Sequence, residues 1–285
     1  MGIKKVNKIN NLYNIYKVKR IILSRKGFDA KAGGSASPIF KDGRIFSLPI
    51  PQKSPSPTKY QDLNFDGISG TELLRETSTS VLPQNYCHFD PLLNEEIGIF
   101  GQASSSQTEL KNKGVSPGDL FLFFGWFKNF FNKGSDLHHL FGWLQIGRVI
   151  EGSDNIKAFL KKVNMEHPHG YGDVSRYKNN TIYIARRNLD IQKKTSSSKG
   201  HGLFKCTHEE LILTEQNKTR SRWKLPNKYF LNSKRLFLNR LKWEDEENCR
   251  IFYKGFGQEF ILNAEKNPKI IDWATHLIKL HGEKL

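Results

Sequence analysis

The chain of 285 residues reads as one α+β domain with a mainly antiparallel, barrel-like sheet and a C-terminal amphipathic helix. Three observations predict this class. Two near-continuous apolar runs, "VSPGDLFLFFGWF" (115–127) and "LHHLFGWLQIGRVI" (137–150), flank the polar connector "KNFFNKGSD", the pattern of an antiparallel strand pair. Strands apolar on both faces belong inside a barrel or sandwich, or beneath helices. The end of the chain, "NPKIIDWATHLIKLHGEKL", places Ile270, Ala274, Leu277, Ile278 and Leu280 broadly on one helical face, with Asn267 as cap and Pro268 suited to the first turn. No composition break divides the chain, so one domain is expected from residue 18 onward, preceded by a basic extension over 1–17.

Taken in order, the elements follow from local pattern. Residues 18–24, ending in Ile21, Ile22, Leu23 and Ser24, read as the first strand. "SPIFKDGRIFSLPIP" (37–51) reads as a hairpin turning at Asp42-Gly43. Residues 52–85 are rich in Ser, Pro and Asn and predict a long loop, the kind that serves as a lid or binding segment. Within it, Ser69 and Glu72 fit a capping box ahead of Leu73 and Leu74. "NTIYIA" (180–185) and "HEELILT" (208–214) read as further strands.

Lys and Arg outnumber Asp and Glu by 45 to 28, a net charge of +17. That balance favours polyanionic partners, a nucleotide or nucleic acid among them, although solvated surface lysines produce the same count. Cys87, Cys206 and Cys249 form neither a disulfide framework nor a paired zinc motif, which points to a reducing, cytoplasmic setting. No apolar run has the length of a membrane helix, and the N-terminus lacks the apolar centre of a secretory signal. Oligomeric state is left open.

Five short segments carry candidate chemistry. After the first strand, Ser24, Arg25, Lys26 and Asp29 stand beside Gly27. Arg grips a phosphate with two prongs and Lys acts as a point charge, but the segment is neither a Walker loop nor a dinucleotide fingerprint, and a basic turn has the same spelling. In "CHFDP", His88 and Asp90 are two apart and so share one side of an extended segment, as a carboxylate-oriented imidazole or as two metal ligands. "EHPHG" repeats that spacing with His167 and His169, a weak metal signal without a located third ligand. "FGQAS" offers Gln102. "GFGQEF" offers Gln258, able to pair with a base edge, and Glu259, able to act as a base. A turn or bulge is the plain alternative for each. His138 and His139 point to opposite faces of a strand, so at most one joins a shared site. Trp126, Trp143 and Trp243 can stack a base but fit the core as well.

Read together, "IILSRKGFD", "GGSASPIFKDGRIFSLPIP", "HFDP", "GVSPGDLFLFFGWF", "LHHLFGWLQIG", "HPH", "SRWKLP" and "GQEFI" form an ordered series. That series resembles the nucleotide-modification-associated domain 3 (Nmad3) family, over nearly the whole chain. The resemblance implies a link to base-modification systems without a settled reaction. The polar positions matching its motifs are Ser24, Arg25, Lys26, Asp29, His88, Asp90, Gln102, His167, His169, Gln258 and Glu259. The chain departs from the pattern in the Ser run 104–106 and in its basic N-terminal extension. A second, local similarity links the Pro-Gly-Asp loop and its following strands to the small β-barrels of the PUA and EVE type, which hold modified or flipped bases.

Three functional readings follow. In the first, an enzyme acts on a nucleotide or nucleobase: Asp29, His88, Asp90 and Glu259 do the proton chemistry, while Ser24, Arg25, Lys26, Gln102 and Gln258 bind phosphate and base. In the second, the chain is a non-catalytic PUA/EVE-like reader of modified bases. In the third it is a metal-dependent hydrolase built on His88, Asp90, His167 and His169. No cofactor motif is recognisable, so the cofactor is left open. The first reading requires Arg25, Asp29, His88 and Glu259 to meet in one pocket.

Overall fold

A computed structural model describes residues 17–191, 194–233, 235–255 and 257–282; residues 1–16 of the basic extension lie outside them. The core is a nine-stranded mixed sheet. Its principal strands are β1 (Arg20–Arg25), β2 (Gly98–Gln102), β3 (Leu120–Lys128), β4 (Leu137–Glu151), β5 (Thr181–Ala185) and β6 (Glu259–Asn263). They run in the order β6-β1-β3-β4-β5-β2, with the short Leu92–Leu93 strand beyond β2. The β3–β4 pair is antiparallel, as the two apolar runs predict, with a register shift between Phe123 and Phe124. β1 lies parallel to β3 and antiparallel to β6.

The sheet is open, with β6 and Leu92–Leu93 at its two ends, which corrects the barrel-like expectation. The apolar character of both faces has a different cause. Side chains alternate along a strand, and here the two faces feed two separate cores. Ile21, Leu23, Leu120, Leu122 and Phe124 pack with Trp223, Trp273 and the C-terminal helix. Ile22, Phe121, Phe123 and Phe127 pack with Phe100, Phe141 and Tyr183 on the other face. That second face also receives Leu110 from α1 (Ser104–Asn112). Covering both faces with other elements removes the need for closure.

The remaining helices follow their sequence signals. Ser69 and Glu72 form the capping box of a short helix, Gly70–Arg75. This helix lies in a segment that folds into its own small cluster, with Tyr60, Leu63, Leu73 and Leu74 buried around Phe28. Residues 52–85 therefore carry short strands and helical turns anchored by those apolar side chains. α2 (Ser153–Lys162) buries Ile156 and Leu160. α3 (Lys269–His281) is capped by Asn267, whose Oδ1 accepts from Lys269 N at 3.1 Å. Its buried face is Ile270, Ile271, Trp273, Ala274, Leu277 and Ile278; Leu280, expected on that face, is 55 % exposed. The 208–214 segment, read as a strand, holds a 3₁₀ turn at Glu209–Leu211 with single bridges at Ile212 and Thr214.

Candidate functional site

The site forms where β1 ends. Alternation puts Ser24 on the same face as Ile22, and register sets Ser24 opposite Glu259 across the β1–β6 pair. Backbone bonds from Arg25 N to Gln258 O and from Lys26 N to Phe124 O carry the strand two residues further, each at 2.8 Å. The chain then turns at Gly27, whose φ of +78° and contact with the Ser47 side chain and Leu48 carbonyl leave no room for a Cβ. The result is a cleft of about 610 Å³ lined by Arg25, Lys26, Asp29, His88, Asp90, Gln102, His169 and Gln258 among others.

The floor is a buried polar knot. Glu259 Oε1 accepts from Gln102 Nε2 at 2.7 Å, Lys26 Nζ at 2.8 Å and Ser24 Oγ at 3.1 Å. Glu259 Oε2 is buried without a hydrogen-bond partner among the described residues. Lys26 Nζ also sits 4.6 Å from the centroid of the Phe100 ring. A charge this deep persists only when paired, and Lys26 is the partner that neutralises Glu259. Asp29 is occupied differently: its Oδ1 accepts from Lys31 N and Ala32 N at 2.7 and 2.8 Å. Its Oδ2 faces Arg25 Nη2 at 3.8 Å. Asp29 thus shapes the loop that presents Arg25.

The wall is a histidine cluster around Asp90. His88 ends the Tyr86–His88 strand, which pairs with Ile50–Gln52. Asp90 follows two residues later on the same side. His167 and His169 lie between α2 and β5. Asp90 Oδ1 accepts from Gly101 N at 2.9 Å and from His167 Nε2 at 3.2 Å. His169 N donates to His167 Nδ1 at 3.3 Å, which leaves the His167 proton on Nε2. Asp90 Oδ2 faces His88 Nε2 at 3.8 Å and His169 Nε2 at 4.0 Å. Gly101 is required here, because a Cβ would stand 2.2 Å from His169 Cδ2.

Burial keeps the His88 and His169 imidazoles neutral. Burial drives His88 down to about 3 and His169 to about 4, against the opposing pull of Asp90. Burial alone would raise the Asp90 carboxyl; the hydrogen bond from His167 outweighs it and holds Asp90 below the ordinary carboxylate value. The cleft therefore joins a carboxylate and neutral imidazoles to a rim with Arg25, Lys31, Lys53 and Arg176.

Arg25, Asp29, His88 and Asp90 line one cleft, with Glu259 directly beneath it. His167 is buried behind Asp90, and its Nε2 is already committed to that carboxylate. His138 and His139 lie outside the cleft: His138 Nδ1 accepts from Trp223 Nε1 at 2.9 Å, and His139 bonds Leu140 O and Thr207 Oγ1. Trp126, Trp143 and Trp243 also lie outside its lining. The sequence patterns do not single out Gln52, Tyr177 or Asn180. Gln52 Oε1 meets His88 Nδ1 at 3.0 Å, and Asn180 Oδ1 meets His169 Nδ1 at 2.6 Å. The Tyr177 ring stacks on His169 at 4.8 Å and 16°. Isolated Gln, Asn and Tyr residues carry no spacing signal, and only the folded chain shows their roles.

Among the described residues no helix is long and apolar enough to cross a membrane. No curated protein and no solved structure matches the chain. The model of one family, nucleotide modification associated domain 3, matches residues 20–263, a span that holds every residue of the cleft named above. The chain belongs to the Nmad3 family.

Proposed function

We propose that this protein is an enzyme that modifies a nucleotide or a nucleobase held in the cleft. One observation carries the reading. Segments as far apart in sequence as Arg25, His88, Gln102, His169 and Gln258 line a single cleft, in a family associated by name with nucleotide modification. Arg25 and Arg176 on the rim supply planar, two-pronged donors for phosphate. Lys26, paired with Glu259, fixes the floor beneath them. His88 and Asp90 stand where a proton of the bound substrate can be taken or returned. Gln102 is held by Glu259 and orients the floor; Gln258 offers an amide to a base edge.

A second reading, a reader of modified bases without catalysis, draws on a neighbouring cavity. It has a volume of about 310 Å³, is walled by Phe46, Phe65, Phe89 and Phe141, and shares Gly27 and Asp90 with the cleft. Aromatic walls of this kind hold flat bases.

Calorimetric titration with nucleoside monophosphates and a short single-stranded oligonucleotide tests the shared premise. Binding is expected to weaken with salt and to fall about tenfold in Arg25→Ala/Arg176→Ala, as for the loss of one or two charge-assisted contacts. Absence of binding by the wild-type protein would contradict both readings. Mass spectrometry of nucleosides after incubation separates them: a mass change lost in His88→Ala marks the enzyme, and binding with no mass change marks the reader.

A further inference from the structure

We infer that His88, Asp90 and His169 form a binding site for one divalent first-row transition-metal ion, with His167, Gln52 and Asn180 as the groups that set its ligands. The inference rests on the cluster alone, and with an ion bound the proton transfer assigned above to His88 and Asp90 falls to a molecule on the ion's open positions.

The argument begins with tautomers. A neutral imidazole has one N–H and one lone pair, and the partner of one nitrogen decides which atom can bind a metal. Gln52 Nε2 donates to the carbonyls of Ser54 and Pro55 at 3.2 and 3.1 Å, so its Oε1 is the atom that meets His88 Nδ1. The proton of His88 is therefore on Nδ1. Asn180 Nδ2 donates to His169 O at 2.8 Å and Ser153 Oγ at 3.0 Å, so its Oδ1 accepts the Nδ1 proton of His169. Both rings consequently present bare Nε2 lone pairs, and both lone pairs lie beside Asp90 Oδ2. At 3.8 and 4.0 Å these contacts exceed hydrogen-bond distance, which a lone pair facing a carboxylate oxygen requires. His167 has the opposite tautomer: its Nε2–H is given to Asp90 Oδ1, which aims Oδ2 at the two lone pairs.

Distance supports the same assignment. The three donor atoms all lie within 4.8 Å of one another. Ligand atoms each about 2.1 Å from one ion are at most about 4.2 Å apart, so the two measured pairs already meet that limit, and side-chain shifts on the order of 1 Å close the third. Two imidazoles and one carboxylate on one side, with the cleft on the other, leave coordination positions open to a bound molecule. Borderline donors of this kind select Mn, Fe, Co or Zn over Ca or Mg. Each imidazole has an outer partner on its far nitrogen, the arrangement that fixes ring orientation at metal centres. An ion here would act as a Lewis acid or would orient what enters the cleft.

The test is titration of chelator-treated full-length protein with Mn(II), Co(II) and Zn(II), one at a time and without nucleotide, read by calorimetry and by the visible absorption of Co(II). One ion per chain is expected, with binding abolished in His88→Ala and His169→Ala and weakened about 10–100-fold in Asn180→Ala. His208→Ala on the surface is expected to bind as the wild type does. Retention of full affinity in both His88→Ala and His169→Ala, or binding by the wild type no tighter than millimolar, would overturn the site. If those variants fail to fold, electron spin-echo spectra of wild-type protein loaded with Mn(II) decide the matter: nitrogen couplings from two imidazoles support the site, and their absence overturns it. Nucleotide binding measured in chelator then reports on the nucleotide reading separately.

Discussion

Two clusters of histidine and carboxylate stand among the described residues, and their geometry differs in kind. Around Asp90 the carboxylate is 3 % exposed, and the imidazole nitrogens nearest its Oδ2 stand off at 3.8–4.0 Å. Around Glu210 the carboxylate is 39 % exposed. His276 Nε2 and His281 Nε2 hydrogen-bond its two oxygens at 3.0 and 2.8 Å, and His208 lies 3.8 Å away. In the surface cluster the protons sit between nitrogen and oxygen, so the Nε2 atoms of His276 and His281 that face Glu210 donate and have no lone pair to give. In the buried cluster the protons of His88 and His169 are drawn to the far side by Gln52 and Asn180. Composition is nearly the same; the partner on the second nitrogen separates a hydrogen-bonded cluster from a ligand set.

The largest expected difference between the two is in stability. Asp90→Ala strips the acceptor from Gly101 N and His167 Nε2 at a buried position, at a cost of about 2–5 kcal/mol by urea denaturation. Glu210→Ala removes only screened surface pairs and is expected to cost under about 1 kcal/mol. Equal losses would erase the contrast.

Gly101→Ala is next. The added methyl must displace the His169 ring, at about 1–3 kcal/mol of overpacking, and metal retention is expected to disappear with it. A variant that folds normally and still holds one ion would show that His169 is dispensable.

Acid sharpens the comparison further. His139, buried beside the surface cluster, is lowered to about 4 by burial, against the hydrogen bond to the Leu140 carbonyl. A histidine with a depressed folded-state pKa stabilises the fold while neutral, and that contribution is lost as pH falls from about 6.5 toward 4, by up to about 3 kcal/mol. Glu210 is depressed too, first by its hydrogen bond from His281. Its smaller contribution is present above the ordinary Glu value and is lost below it. His139→Gln is expected to make the first phase of a stability–pH curve shallower, with the part carried by buried His88, His138 and His169 remaining, and to leave the second. The smallest effect is predicted for Arg176→Ala: no change in stability beyond about 0.5 kcal/mol, with the loss confined to anion binding.

Part of this arrangement was legible in the chain. The spacing of His88 and Asp90 puts both on one side of an extended segment, and the apolar runs foretell the β3–β4 pair. The capping box at Ser69 and the Asn267 cap are present as read. The open sheet was not legible, because a strand apolar on both faces is spelled identically whether a barrel closes or two layers cover it. The parallel placement of β1 beside β3 depends on pairings nearly a hundred residues apart. Asp29 looked like a site carboxylate, yet its oxygens are engaged by Lys31 N, Ala32 N and Arg25. His167 and His169 looked equivalent, and only their second partners, Asp90 and Asn180, give them opposite tautomers. Roles that turn on where one proton sits leave no trace in spacing.

The most direct measurement is an anomalous-difference map from crystals of the full-length protein grown with Mn(II). A peak about 2.0–2.3 Å from His88 Nε2, His169 Nε2 and Asp90 Oδ2, with none at His208, Glu210 and His281, is the predicted result. A peak only at the surface cluster, or none beside Asp90, would contradict the account.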